Sequence, residues 1–400
     1  LTGSTALLQG LASSSLNGTF GASNVADSFT GSGTTFNSGS DVFFRLGNVA
    51  NNDSDVDLEY VVIEFNALVE NVSGNQAGTN LDNSLTLLAD LDTNGSPGYI
   101  SLVADDGDGL YGAGDTPRTA TDPDNDASTT AGQATANSNA ARVTVVEPVI
   151  TNLDVNDNTN SADAGDVVNF TATFSNTGNA TRSATADAFD VVYTHALPAV
   201  QTLDTASVVV RRNSTIISTG FTLTTTANTV VVTLDRVALG DAIDIRYSGT
   251  MTQAVAPNQT VNSTGTLSYT SLPGTGTTGN PTGSNAPGAS GAADGERDGS
   301  SLTVPADAQL APLNNYYDTD STTLTVPAPT VEKFLFDTSA SSTAGSNVTI
   351  GETITYALRV TLPESTVASI TLVDILPPGL QFVSGLLVRT AAQSVTASGL

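Results

Sequence analysis

Residues 150–179, ITNLDVNDNTNSADAGDVVNFTATFSNTGN, and residues 331–364, VEKFLFDTSASSTAGSNVTIGETITYALRVTLPE, are two versions of one pattern. Each opens on a short apolar run, crosses a stretch of Asn, Ser, Asp and Gly, and ends in a Thr-, Val- and aromatic-rich segment, VVNFTATF or TITYALRV. Alternation with a period near two in such residues predicts β-strands. The match continues in order and spacing into VVYTHALPAV at 191–200 and TLVDILPPGL at 371–380. The first version then runs on through LDRVALGDAIDIRYSGTM (234–251), NQTVNSTGTLSYTSL (258–272), GERDGS (295–300) and STTLTVPAP (321–329), and the second does not. Counterparts of those four stretches stand at the front of the chain: FRLGNVANNDSDVDLEYVVIEF (44–65), AGTNLDNSLTLLADL (77–91), GDTPRT (114–119) and ARVTVVEP (141–148).

The 400 residues therefore read as half a module, a whole module and half a module. Residues 1–149 form the C-terminal part of one module, 150–328 a complete module, and 329–400 an N-terminal part complementary to 1–149. Such self-similarity predicts a stretch of a longer repetitive protein. The joints fall near Glu147–Ile150 and Pro327–Thr330, each with a proline beside the closing strand, which predicts stiff connections and an extended array. Turn sequences such as NTGN, LPPG, SLPG and NDNTN separate the strands, and no long helical pattern intervenes. The fold class expected is all-β: tandem, elongated Ig-like modules, each an antiparallel β-sandwich. Two loops stand outside the sandwich pattern, the Asp-rich run 90–126 and the Gly-, Ser- and Pro-rich run 273–299.

Forty Asp and Glu against twelve Lys and Arg give a net charge of −28, which repels nucleic acid and anionic lipid. A hydrophobic content of 39% supports packed domains rather than a disordered acidic tail. There is no Cys, so cores, metals or other crosslinks must supply the stability. No apolar stretch approaches the ~20 residues of a membrane span. The opening LTGSTALLQGLASSS lacks the charged start of a signal peptide, as expected if the chain begins inside a domain.

GETITYALRV followed by ITLVDILPPGLQFVSG, with GTNLDNSLTL and a TLTVPAP closure, resembles the conserved-repeat and isopeptide-forming β-sandwich domains of bacterial fimbrial and large cell-surface proteins. The resemblance covers nearly the whole chain and implies an extracellular structural or adhesive role. In some members it also implies a spontaneous bond between a Lys in the first strand and an Asn in the last, promoted by a nearby acid. Three residues take those roles here. Lys333, the one lysine of the chain, shares a strand side with Val331 and Leu335; Asn83 lies on the face of Leu81, Leu85 and Leu87; Asp374 shares a face with Leu372 and Leu376. By letter matching the middle module has Asn152, His195 and Asn262 at those positions, so lysine and acid are absent together. The plainer alternative is a surface lysine at a strand end, a turn-forming Asn and an edge Asp.

The runs Asp90-x-Asp92-x-Asn94-Gly95, Asp105-Asp106-x-Asp108-Gly109 and Asp122-x-Asp124-x-Asp126 place oxygen ligands at alternate positions and suggest Ca2+, against a reading as solvated acidic turns. None completes an EF-hand, because Ser101 stands where the closing Glu is needed. The GxGxxG spacings at Gly107 and Gly274 lead into no helix and are set aside as nucleotide sites. His195 is the one histidine and fits packing better than catalysis, and the pair Tyr316-Tyr317 fits a strand better than a ligand platform.

The function expected is a structural subunit or repeat of an extracellular bacterial fibre that assembles with copies of itself, head to tail, by sandwich completion. The rival readings are a modular adhesin gripping a ligand through its long loops, and a surface-layer or sheath component. An enzyme is the least favoured class, since no catalytic constellation is legible.

Overall fold

The structure, a computed structural model, describes residues 25–27, 42–44, 61–63, 65–70, 74–90, 103–104, 116–117, 133–178, 183–226, 228–274, 296–297 and 316–383. Every regular element among them is a β-strand. In the front segment β1 (Val25–Asp27) pairs with β2 (Val42–Phe44), β3 (Asn80–Asn83) with β8 (Ala141–Thr144), β4 (Thr86–Asp90) with β7 (Gln133–Asn137), and β5 (Val103–Ala104) with β6 (Thr116–Pro117). The middle segment holds β9 (Asp154–Asp157), β10 (Val167–Ser175), β11 (Ala188–Ala196), β12 (Gln201–Arg212), β13 (Thr215–Ile216), β14 (Phe221–Thr226), β15 (Thr229–Val237), β16 (Ala242–Met251), β17 (Thr260–Thr270) and β18 (Tyr317–Thr325). These form two five-stranded antiparallel sheets, ordered β13-β12-β16-β10-β9 and β14-β15-β11-β17-β18. In the tail β19 (Thr330–Thr338) pairs with β20 (Ile354–Thr361) alone.

The alternation that predicts strands also assigns their faces. In β16, Ile243, Ile245 and Tyr247 point into the sandwich, while Asp244 and Arg246 point out and pair at 2.7 Å. Phe170 of the adjacent strand and Tyr193, Leu234 and Leu267 of the facing sheet belong to the same core. Fully burying each large apolar side chain contributes about 1.5–3 kcal/mol, and this shared core holds the two sheets face to face. Gly265 sits where packing leaves no room for a side chain, since a Cβ there would stand 2.7 Å from Val155 Cγ2 and 3.0 Å from Tyr193 Cε2.

One side of the sandwich is sealed by β9. It hydrogen-bonds β10 along one edge. Along the other it meets β18 of the opposite sheet: Leu153 N–H donates to Asp318 Oδ2 at 2.8 Å, Val155 N–H to Asp320 Oδ2 at 2.7 Å, and Thr322 Oγ1 to Asp157 Oδ2 at 2.9 Å. Thr325 N–H donates to Asn160 O at 3.0 Å, so the two strands run parallel, side by side. Carboxylates thus occupy edge N–H groups that would otherwise invite another strand. Burial pushes the Asp318 carboxyl upward, against the hydrogen bonds from Leu153 and Thr319.

Candidate functional site

The half-segments present what the middle module hides. In the tail Val331, Phe336, Leu372, Ile375 and Phe382 are exposed, and in the front Val61, Phe65, Leu87 and Val143 are exposed. At corresponding positions of the middle module the apolar side chains are buried in its core.

Backbone geometry fixes which residues of the halves correspond to which of the middle. Gly351, at the entry to β20, has φ 91°, and Gly165, at the entry to β10, has φ 90°. In the front, Gly78 N–H donates to Val145 O and Val145 N–H to Thr79 O; in the middle, Asn258 N–H donates to Val326 O and Val326 N–H to Gln259 O. Gly78 and Asn258 both take positive φ, at 88° and 64°. The turn in which Leu380 N–H donates to Pro377 O matches that in which Gln201 N–H donates to Pro198 O and sets Leu372 against Tyr193, while the front anchors set Leu87 against Leu267 and Val143 against Leu324. Exposure is 48% against 0%, 52% against 0% and 57% against 2% in the three pairs.

The same register corrects the letter matching at two positions. Lys333 pairs with Leu358 as Val155 pairs with Ala172, so Lys333 corresponds to Val155 and not to Asn152. Asn83 pairs with Ala141 as Ser263 pairs with Thr322, so Asn83 corresponds to Ser263 and not to Asn262. His195 remains the counterpart of Asp374.

In the middle module those counterparts lie together in the core. His195 is fully buried, with Nε2 bonded to Ser263 Oγ and Nδ1 bonded to the Tyr247 hydroxyl, which meets the Tyr193 hydroxyl at 2.7 Å. Burial lowers the His195 pKa to about 4, so the ring is neutral, with one nitrogen donating and the other accepting. Burial likewise pushes the Tyr193 and Tyr247 hydroxyls upward.

In the tail, Lys333 Nζ donates to Asp374 Oδ1 at 2.7 Å and Oδ2 at 2.9 Å, and sits 4.3 Å from the ring centroid of Tyr356. Both side chains of the pair are about one-third exposed, 35% and 33%. The structure therefore brings Lys333 and Asp374 together, while Asn83 is exposed on β3, in the front segment.

Two joints connect the segments. At the first, Glu147 and Arg297 form a buried ion pair; Glu147 Oε1 also accepts from Tyr316 Oη at 3.0 Å, and its Oε2 from Ala77 N–H at 2.7 Å. Arg297 Nη2 reaches Asn75 O at 3.2 Å. At the second, Ala164 N–H donates to Glu364 O at 2.7 Å, Glu364 N–H to Asp163 Oδ2 at 3.0 Å, and Thr366 Oγ1 to Gln253 O at 2.7 Å. The turn Gln76–Thr79 serves the first joint, and the corresponding turn Ala256–Gln259 closely follows the acceptor in the second. GERDGS recurs as GDTPRT, but nothing local in the sequence marks the role of Arg297, whose partner is 150 residues away.

Of the proposed calcium ligands, Asp90 lies in β4, and nothing is described of its side chain; Asp92, Asn94, Asp105, Asp106, Asp108, Asp122, Asp124 and Asp126 lie outside the described residues. Tyr316 is buried and stacks on Tyr269 at 4.7 Å, which is a packing role. Among the described residues no helix is long and apolar enough to cross a membrane.

No family model and no curated protein matches the sequence. Among solved structures it is similar to BcpA, the major pilin subunit of Bacillus cereus, at 8% identity and TM-score 0.29, with 54% of this chain and 56% of that one covered. It is also similar to the T6 backbone pilin of serotype M6 Streptococcus pyogenes (14%, TM-score 0.27, 55% and 46% covered). A third is the pilus backbone RrgB of Streptococcus pneumoniae (14%, TM-score 0.22, 28% and 26% covered). The alignments thus span about a quarter to just over half of those pilins. Likeness this remote carries no functional argument, and the site has to be read from its own geometry.

Proposed function

We propose that this chain is a structural repeat of an extracellular bacterial fibre, propagated head to tail as the tail half-module of one copy and the front half-module of the next complete a sandwich. The observation that carries this reading is the pair of open apolar faces, where Leu372, Leu87 and Val143 are exposed at positions whose counterparts are buried in the core of the middle module. They lie toward opposite ends of that module. The first joint is near the end of β10 and the second near its start, and nine residues of strand span roughly 30 Å. A contact between different surfaces at opposite ends propagates as a filament whenever its rotation does not close.

The expected result is that the purified chain sediments as concentration-dependent linear polymers, visible by electron microscopy. A monodisperse monomer at tens of micromolar would remove the reading, and discrete particles binding another molecule would favour the adhesin.

The Lys333–Asp374 pair supports a covalent extension of the same reading. Asn83 corresponds to Ser263, which touches the counterpart of Asp374, so a completed core would gather all three residues. Attack requires Lys333 Nζ to pass a proton to the Asp374 carboxylate that it touches. The amine attacks Asn83 Cγ, the new C–N bond forms and ammonia leaves. Intact mass should fall by one ammonia per bond, and the Lys333→Ala chain should show no loss; an unmodified mass in assembled material would leave the lysine in an ion pair only.

A further inference from the structure

We infer that the open face of the tail is filled by β3, β4, β7 and β8 of a second copy of this sequence, with β19 lying parallel to β8 and Leu335 beside Ala141. The inference rests on the assembly reading above and specifies its partner segment and register.

The middle module supplies the template. There β9 is the first strand and β18 the last, and they run side by side with Asp157 against Thr322. In the tail, Leu335 pairs with Tyr356 as Asp157 pairs with Phe170, so Leu335 takes the place of Asp157. In the front, Ala141 pairs with Asn83 as Thr322 pairs with Ser263, so Ala141 takes the place of Thr322. A polar pair joined by a hydrogen bond becomes an apolar pair, Leu and Ala. Both partners change character together.

Volumes change together as well. In the middle module the large Tyr193 of β11 packs against the Cβ-less Gly265 of β17, where any side chain would clash. The corresponding residues are Leu372 in the tail and Leu85 in the front, so one half loses the ring where the other gains a side chain. Cores tolerate such compensated exchange when total volume is kept. Polar groups follow the same rule: His195 and Ser263 are matched by Asp374 and Asn83, so a carboxyl faces a carboxamide that can donate to it. Charge is balanced too, since Lys333, the cation at an inward position of β19, already neutralises Asp374.

Completion within one chain is disfavoured by placement. Among the described residues, the strand pairing of the tail is β19 with β20 and the pairings of the front stay within the front. The two halves also attach at opposite ends of β10, so a tail reaches the front of another copy more readily than its own.

The chain contains no cysteine, so register can be read by disulfide formation in the full-length protein. Leu335→Cys combined with Ala141→Cys should oxidise to a reducible ladder of covalent multimers. Leu335→Cys combined with Val143→Cys shifts one partner by two residues, about 7 Å, beyond disulfide reach. We expect the first pair to crosslink at least tenfold faster. Filaments that sediment normally but crosslink equally well through residue 143, or better, would overturn the register while leaving self-assembly intact. A disulfide confined to single chains would overturn the second-copy partner. Loss of all sedimenting species in the parent chain, without cysteines, would remove this inference together with the assembly on which it rests.

Discussion

The middle module and the two flanking segments share strand pairings, β9–β10 with β19–β20 and β17–β18 with β3–β8, yet one closes its core and the others leave theirs open. In the middle, Leu267 and Leu324 are sealed between two five-stranded sheets; in the front, Leu87 and Val143 occupy the same places on isolated pairs of strands and face water. The difference is one of partnership and not of composition. A β-pair with one apolar face is not independently stable, and it needs a second sheet to remove that face from solvent.

The largest expected effect comes from breaking this correspondence at its centre. Leu372→Asp would place a carboxylate where Tyr193 is fully buried in the middle module, a cost of several kcal/mol in a completed core. Each 1.4 kcal/mol is tenfold in association, so polymerisation should weaken by at least about a hundredfold. Unfolding of the middle module should be unchanged. Sedimentation and a urea melt on the same sample separate the two, and unaltered assembly would show that the tail face is not the contact.

A second break tests the joint. Glu147→Ala leaves Arg297 buried without its carboxylate and deprives the Tyr316 hydroxyl and the Ala77 N–H of an acceptor. Removing one partner of a buried ion pair costs about 3–5 kcal/mol. The midpoint of the middle module's urea transition should fall accordingly, and Glu147→Ala with Arg297→Ala should recover part of the loss. A fall below about 1 kcal/mol would place the pair among weakly coupled surface bridges.

How much of this was legible beforehand follows from the kind of information involved. Strand character was written in local alternation: Val168, Phe170, Ala172 and Phe174 of VVNFTATF and Ile243, Ile245 and Tyr247 of AIDIRYSGTM are inward positions of β10 and β16. Register was less legible. Residues 158–164 and 339–350 differ in length, so letter matching set Lys333 on Asn152, where strand pairing sets it on Val155. Asn262 attracted Asn83 because the letters agree, although Asn262 faces solvent on β17 and Ser263 faces the core. The Glu147–Arg297 pair was illegible because it forms only after the chain has travelled around the whole sandwich. The buried hydrogen bonds of His195 were hidden for the same reason, since Tyr247 and Ser263 come from two other strands.

His195 sharpens the comparison, because the half-segments carry no histidine. Burial depresses its folded pKa to about 4, below the ordinary 6.5. A base with a depressed folded pKa is stabilising while the unfolded ring is also neutral, so stability is complete above pH 6.5 and is lost as pH falls from 6.5 toward 4. Between pH 7 and pH 5 the linkage amounts to about 2 kcal/mol. Urea melts over that interval should show it in the parent chain, and His195→Gln should flatten the profile. An equally steep profile in the variant would assign the loss to carboxylates instead.

The smallest expected effect concerns the two long loops, where composition and not strand register separates the modules. The front loop alternates Asp90, Asp92 and Asn94, then Asp105, Asp106 and Asp108, then Asp122, Asp124 and Asp126; the loop 273–299 of the middle module has Asp294, Glu296 and Asp298 gathered at one end. Glu296 and Arg297 are already buried at the joint, so that end is committed to structure. Calcium prefers several hard oxygens, and the front sequence carries them at alternate positions where the middle sequence does not. A ligand at ten times its dissociation constant stabilises the state that binds it by about 1.4 kcal/mol. In scanning calorimetry, millimolar calcium should raise the transition of the split module by a few degrees, chelator should reverse it, and the middle module should not move. If both transitions shift equally, calcium is screening the net charge of −28 and has no seat among these aspartates.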